Sequence, residues 1–240
     1  MSLAVAWLLG LLAATPVPQD EPSALTRDPK GWVDILPGTK LKGWSRVAPI
    51  SSRGVKSLVN PDLAVWIPDR KTGVLECRGH LPLQAPPGGK PGRHEMLRHE
   101  QDLGDFIFHV EWRFKDPART GWNAGVYARV NEAADIWHQA QVGGGPTTYW
   151  FADTPDASGK IGRIKDDSVE KRVKPPGQWN VYEITGRGDT LTLWANGAVV
   201  SQLKGLRVQR GRVGLEAELH HIEFRNLKLK RLDHMQQESK

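Results

Sequence analysis

Hydrophobic and polar positions alternate with period two through most of the chain that follows a short apolar leader. In 105–114, Phe106, Phe108, Val110, Trp112 and Phe114 share one face, and His109, Glu111 and Arg113 the other. A strand sends successive side chains to opposite faces, so the stretch predicts a strand with one buried and one polar side. Asn123–Val130 repeats the pattern, with Ala124, Val126, Ala128 and Val130 against Asn123, Tyr127 and Arg129. The two stretches read as a hairpin-like pair. In 137–142, Trp137, Gln139 and Gln141 oppose His138, Ala140 and Val142, and the small apolar residues mark the second set as the core side. In 213–219, Val213, Leu215, Ala217 and Leu219 face the core, which turns Glu216 and Glu218 outward.

Further strands are predicted at 64–67, 73–78, 95–99, 179–185, 190–195, 199–203 and 222–229, separated by Gly, Pro, Asn or Asp. Asn196-Gly197 sits between two of these runs. It is a strong hairpin signal, because a type I′ turn needs positive φ at both central residues. No helical period is sustained beyond the leader. An inventory of about ten short strands and no helix defines an all-β sandwich or barrel. Segments 82–93 and 152–178 read as long loops, the first rich in Pro and Gly, the second polar and charged.

Composition narrows this picture. A chain of 240 residues with 39% hydrophobic content supports one sandwich domain with its own core. Ten tryptophans against three methionines supply flat rings suited to sugar faces as well as to packing. The net charge of +6 is scattered among acidic residues, and no helix-turn-helix, zinc-finger or RNP pattern accompanies it, so no nucleic-acid partner is expected. The single cysteine, Cys77, excludes an intrachain disulfide and a cysteine zinc cage. Ser2 to Ala14 is nearly all apolar, too short for a transmembrane anchor and fitting the hydrophobic region of a signal peptide. The expected organisation is a leader over 1–18, a linker over 19–29, a β-sandwich over 30–233 and a tail over 234–240. Export to the bacterial periplasm or the medium follows.

Candidate chemistry lies on the polar faces. If the strands share a sheet, that face collects Glu111, Arg113, Asn123, Tyr127, Arg129, Trp137, Gln139, Gln141, Glu216 and Glu218. Amides, guanidinium groups and carboxylates pair with adjacent hydroxyls, and Trp and Tyr cover the apolar faces of sugars. Carboxylates across such a groove can do acid–base work, with Glu218 and Glu111 the leading candidates and Glu216 beside them. The competing view is a solvated face laced with cross-strand ion pairs. Against it, Gln and Asn are poor strand formers with little reason to line an exposed sheet. A divalent metal through His109 with carboxylates stays open, although no His-Glu-x-x-His spacing occurs. The Gly143–Gly145 run lacks the residues of a phosphate loop, Arg187-Gly188-Asp189 falls on a predicted turn, and no Gly-x-Ser-x-Gly elbow exists.

The order of several short motifs resembles the 3-keto-disaccharide hydrolase domain family, DUF1080, over about Lys30 to Asp233. They are Gly31-Trp32 through Leu41-Lys42-Gly43-Trp44, Asp105-Phe106 with Glu111-Trp112-Arg113, Asn123-Ala124-Gly125-Val126 with Arg129, Gln178-Trp179-Asn180, Asn196-Gly197, and Gly214 to Glu218 followed by Ile222 to Leu227. The resemblance implies a concanavalin-like jelly roll of two antiparallel sheets, a glycan site on a concave face, and action on 3-keto-glycosides. Two departures stand out. The family usually has Glu-x-Gln where this chain has Gln139-Ala140-Gln141, and Leu-Gln where it has Leu215-Glu216. A carboxylate is lost at one position and gained at another, which leaves three alternatives: a hydrolase, a non-catalytic glycan-binding module, or a protein-interaction domain without sugar binding.

Overall fold

The computed structural model describes residues 20–51, 59, 64–79, 95–116, 122–143, 147–218 and 220–232. The expected leader over 1–18, the tail over 234–240 and the loop over 82–93 lie outside these residues. Among the described residues fifteen strands build two antiparallel sheets packed face to face, a sandwich, which is one of the two architectures the alternation predicts, and the jelly roll that the resemblance implies. The back sheet runs in the order β13 (Ala198–Leu203), β12 (Thr190–Ala195), β11 (Asn180–Arg187), β6 (Phe106–Phe114), β15 (Ile222–Arg231), β4 (Val74–Cys77) and β3 (Trp66–Asp69), with β1 (Trp32–Asp34) also paired to β15. The front sheet runs β10 (Ile161–Lys171), β9 (Thr147–Pro155), β8 (Trp137–Gly143), β7 (Asn123–Val130), β14 (Arg212–Ala217), β5 (Glu95–His99) and β2 (Trp44–Val47).

The core forms between the sheets. From β6 it receives Phe106, Phe108, Val110, Trp112 and Phe114, and from β7, β8 and β14 it receives Ala124, Val126, Ala128, Ala140, Val142, Val213, Leu215 and Ala217. These are the apolar sets of the alternation. Burying each large side chain contributes about 1.5–3 kcal/mol, which is what pins each strand's register. Asn196, at φ 43°, and Gly197, at φ 110°, make the expected turn between β12 and β13.

Three expectations are corrected. β6 and β7 are not a hairpin: β6 lies between β11 and β15 in the back sheet, and β7 between β8 and β14 in the front sheet. Each strand has an apolar face to bury, and placing them on opposite sheets lets those faces bury one another. The segment 152–178 is largely strand rather than loop, because β9 and β10 pair from Ile161 opposite Pro155 to Asp167 opposite Tyr149. The linker carries one helical turn, Ala24–Arg27, whose Thr26 N–H is capped by the Ser23 hydroxyl at 3.1 Å. A single turn is too short to show a helical period.

Candidate functional site

The outer face of the front sheet carries a groove of about 470 Å³. Its floor and one wall are Asn123 and Tyr127 of β7, Trp137, Gln139 and Gln141 of β8, and Glu216 and Glu218 at the end of β14. These seven residues, all expected from the sequence, come together because six of them sit on the non-core side of hydrogen-bonded neighbouring strands and Glu218 directly follows β14. The polar side chains are bonded to one another. The Tyr127 hydroxyl donates to Glu216 Oε1 at 2.8 Å, and Gln139 Nε2 donates to Glu216 Oε2 at 2.9 Å and to Gln141 Oε1 at 3.2 Å. Gln141 Nε2 in turn donates to Asn123 Oδ1. Burial and the adjacent Glu216 carboxylate push the Tyr127 phenol well above its ordinary value, so it stays a neutral donor.

Gly125 makes this network possible. A Cβ at that position would stand 2.5 Å from Cγ, Cδ and Nε2 of Gln139. Without one, Gln139 folds over the β7 backbone and reaches Glu216 on the strand beyond. The two departures from the family pattern therefore fall on one hydrogen-bonded pair. The carboxylate missing at Gln139 and the carboxylate gained at Glu216 are direct partners, so the pair keeps one carboxylate and one amide. β14 ends at Ala217, so Glu218 stands one residue past the strand and lines the same groove as Asn123.

The opposite wall was not expected from the sequence. It consists of Tyr149 and Phe151 of β9 and Arg163 and Lys165 of β10, with Pro49 and Ser51 at the rim. Asp153, fully buried, holds Arg163 by Nε and, at 2.8 Å, by Nη2. The guanidinium lies 4.4 Å from the Phe151 ring centre and 5.1 Å from that of Trp137. Lys165 Nζ stands 4.5 Å from the Tyr149 ring centre. The signal for β9 was present in Thr148, Trp150 and Ala152, which alternate with Tyr149 and Phe151; the charged stretch that follows it obscured the pattern.

Three expected site residues are elsewhere. Glu111 and Arg113 belong to β6 and face out from the back sheet. There Glu111 accepts from Arg225 Nε at 2.7 Å and Asn226 Nδ2 at 2.6 Å, and Arg113 donates to Glu223 at 2.7 Å. These are cross-strand pairs on β6 and β15, an ion-paired sheet face rather than part of the groove. Arg129 is turned away by a β-bulge. Arg212 pairs Val130 but Gly214 pairs Tyr127, so Ala128 and Arg129 together oppose Val213. Arg129 takes φ 50°, and the alternation reverses beyond it. Val130 joins Tyr127 and Trp137 on the groove side, while the Arg129 guanidinium donates to Gly188 O at 2.7 Å and Val208 O at 3.2 Å.

His109 does not fit the open metal expectation. It lies on the back sheet, bonded through Nδ1 to Glu183 at 2.8 Å, and the Ala24 and Leu25 amides cap the same carboxylate. Among the described residues no group of three or more His, Cys, Asp or Glu side chains is placed to hold a metal ion. Cys77 is buried, and desolvation pushes its thiol up to about 12, which leaves it unreactive. No helix among the described residues is long and apolar enough to cross a membrane.

The two-sheet jelly roll is a fold shared with solved glucanases and a carbohydrate binding module. LamAcat from Zobellia galactanivorans superposes at TM-score 0.57 with 9% identity, covering 78% of this chain and 90% of that one. A β-glucanase from Bacillus licheniformis gives 0.53 with 9% identity, over 80% and 93%. The carbohydrate binding module CBM66 from Bacillus subtilis gives 0.53 with 14% identity, over 78% and 94%. Identities this low establish a shared fold. The family model of the 3-keto-alpha-glucoside-1,2-lyase-like domain matches residues 31–230, and the chain belongs to that family. No curated protein matches the sequence.

Proposed function

We propose that the protein is an exported carbohydrate-active enzyme that cleaves 3-keto-glycosides or related glycosides in the front-sheet groove. The observation that carries this is the placement of two carboxylates, Glu216 of β14 and Glu218 just past its end, in one groove with a bonded row of amides and aromatic rings. Their roles differ. Glu216 is tied down by Tyr127 and Gln139, so it orients the sugar and the amides. Glu218, one residue past β14 in the same groove as Asn123, is the acid/base residue.

A ketone at C3 acidifies the proton on C2. Glu218 takes that proton, and the C–H electron pair becomes an enolate with its charge on the C3 oxygen. The Asn123 Oδ1 is occupied by Gln141, which leaves the Asn123 amide N–H₂ to donate to that oxygen. Collapse of the enolate breaks the bond from C1 to its substituent and forms the C1–C2 double bond. Glu218 returns its proton to the leaving oxygen, so one residue serves both transfers. Water then adds to C1 and completes net hydrolysis. Trp137 and Phe151 cover the apolar sugar faces. The apolar leader supports export, and N-terminal sequencing of secreted protein that begins after residue 18 checks it.

The test is release of the C1 substituent from a 3-keto-disaccharide. Wild type is expected to release it, and Glu218→Gln to lose at least 100-fold in rate, the general range for an acid–base group, with binding kept within a few-fold. Saturable binding without turnover in wild type sinks the enzyme assignment. It would establish the glycan-binding module, which the already bonded Tyr127–Glu216–Gln139–Gln141–Asn123 row also suits. Absence of any sugar binding leaves the interaction domain.

A further inference from the structure

We propose that the groove is blind on the far side of β14, so that its substrate is the non-reducing terminal unit of a saccharide, free at O4, and that cleavage proceeds from a chain end rather than within a chain. This rests on the carbohydrate reading of the groove above.

The front sheet is wider than the groove. It continues from β14 to β5 and β2, yet no described residue of β5 or β2 lines the groove. The residue of β5 opposite Glu216 is Met96, which is opposite Val47 of β2 in turn. Residues directly opposite in an antiparallel pair share a face, so an open cleft would run on over Met96. Instead Met96 is fully buried, in a small apolar cluster with Tyr127, Val130, Ala134 and Trp137, and Val47 packs against it. Gly214 gives it room. A Cβ there would stand 3.2 Å from Met96 Cγ and 3.3 Å from Sδ, so the thioether lies close over the β14 backbone.

An outward position on a sheet is buried this completely only when other chain lies over it. The covering chain is the arm 48–51 that follows β2, and both of its ends touch the cluster. Val47 precedes it, and Ile50 closes it. The Ile50 N–H donates to Ala134 O at 2.8 Å, and Trp137 Nε1 donates to Ile50 O at 3.2 Å. Pro49 and Ser51, on either side of Ile50, line the groove. The turn that holds the arm, between β7 and β8, is braced in its own right. Asn131 Oδ1 accepts from the Asp135 and Ile136 amides at 3.2 and 3.1 Å, and Arg98 donates to the Asn131 and Glu132 carbonyls at 2.8 and 2.7 Å. Met96, the arm and the turn thus form one fixed wall.

The wall sets direction. From β14 the groove runs over β7, β8 and β9 to β10, roughly 19 Å at the usual strand spacing. The C1 substituent takes that side, because the other is filled. C1 and C4 are opposite corners of a pyranose ring, so O4 of the ring at Glu218 points toward Met96 and the arm. A further sugar on O4 would need the space they occupy, which is discrimination by exclusion.

The experiment uses the full chain with two substrates: a 3-keto-disaccharide, and the same compound with a further sugar on O4 of its keto ring. Release of the C1 substituent and calorimetric binding are both measured. Wild type is expected to cleave the extended compound roughly 100-fold more slowly than the terminal one, the upper range for a pocket that excludes bulk, with affinity falling in step. Met96→Ala shortens the plug, and Ile50→Pro removes the donor that fastens the arm. Each is expected to narrow the ratio of the two rates by about tenfold. Both rates come from the same sample, so a loss of folded protein cancels in the ratio. Equal handling of the two substrates by wild type overturns the blind end and leaves the carbohydrate reading standing. A ratio that neither substitution changes overturns the assignment of the wall to Met96 and the arm. If wild type cleaves neither compound, binding decides: the terminal sugar bound and the extended one refused upholds the blind end, and equal binding overturns it. If neither binds, the carbohydrate reading fails and the inference falls with it.

Discussion

Exchanging the two partners of the Gln139–Glu216 pair is a sharp test of the groove's construction. The amide nitrogen and carboxylate oxygen are 2.9 Å apart, Glu216 is 3% exposed and Gln139 2%. Glu216→Gln alone removes the charge that Tyr127 and Gln139 both donate to, a loss of about 1–3 kcal/mol for a buried charged acceptor. Gln139→Glu alone puts a second carboxylate against the first. Two unit charges about 4 Å apart repel by roughly 4 kcal/mol at an effective dielectric near 20, so the pair must hold a proton at neutral pH. A carboxyl raised in the folded state binds more protons folded than unfolded. This variant is therefore expected to be nearly as stable as wild type below the ordinary carboxylate range, and to lose stability as pH rises above it. The double exchange restores one charge and one amide. It is expected within about 1 kcal/mol of wild type, where independent effects would sum to about 6 kcal/mol. Urea unfolding of the four proteins at pH 5 and pH 7 measures this, and the pH 5 series keeps the single exchange folded enough to compare. A double variant as unstable as the sum of its singles at pH 7 would refute the view that these positions act as one site.

Three further outcomes follow from the same geometry. Gly125→Ala is expected to cost about 1–3 kcal/mol and to weaken sugar binding, because its Cβ displaces Gln139; unchanged melting and affinity would contradict the close approach. Arg129→Met is expected to destabilise by about 2–4 kcal/mol, by orphaning the Gly188 and Val208 carbonyls, without altering sugar affinity; a selective loss of affinity would return Arg129 to the site. At His109, burial opposes the charge but the Glu111 and Glu183 carboxylates outweigh it and raise the imidazole, while Glu183 is lowered despite its own burial. The imidazolium's contribution is fully present below about pH 6.5 and fades as pH rises through the raised folded value, and Glu183's is lost as pH falls below its ordinary range. Wild type should thus lose more stability than His109→Gln between pH 6 and pH 8.5, and parallel curves would refute this.

The amino-acid pattern by itself determined a great deal. It set the all-β class, the apolar side of β6, β7, β8 and β14, the Asn196-Gly197 turn, and the outward direction of Asn123, Tyr127, Trp137, Gln139, Gln141, Glu216 and Glu218. All of these depend on backbone geometry within one strand, where side chains alternate whatever the strand pairs with. What the tertiary structure alone decided is which sheet each strand joins, and hence which polar faces meet. Glu111 and Asn123 are 12 positions apart in the chain but look out from opposite sides of the sandwich, because β6 and β7 lie in different sheets and turn their apolar faces into the shared core. The bulge that withdraws Arg129 is a mismatch in count between two strands, which a single sequence does not display. The β9–β10 wall was hidden by charge, since Arg163 and Lys165 read as a solvated loop until Asp153 and the rings of Tyr149 and Phe151 are placed under them. The Gln139–Glu216 contact spans 77 positions and depends on a glycine on the strand between. Alternation gave each side chain its direction, and packing chose its neighbours.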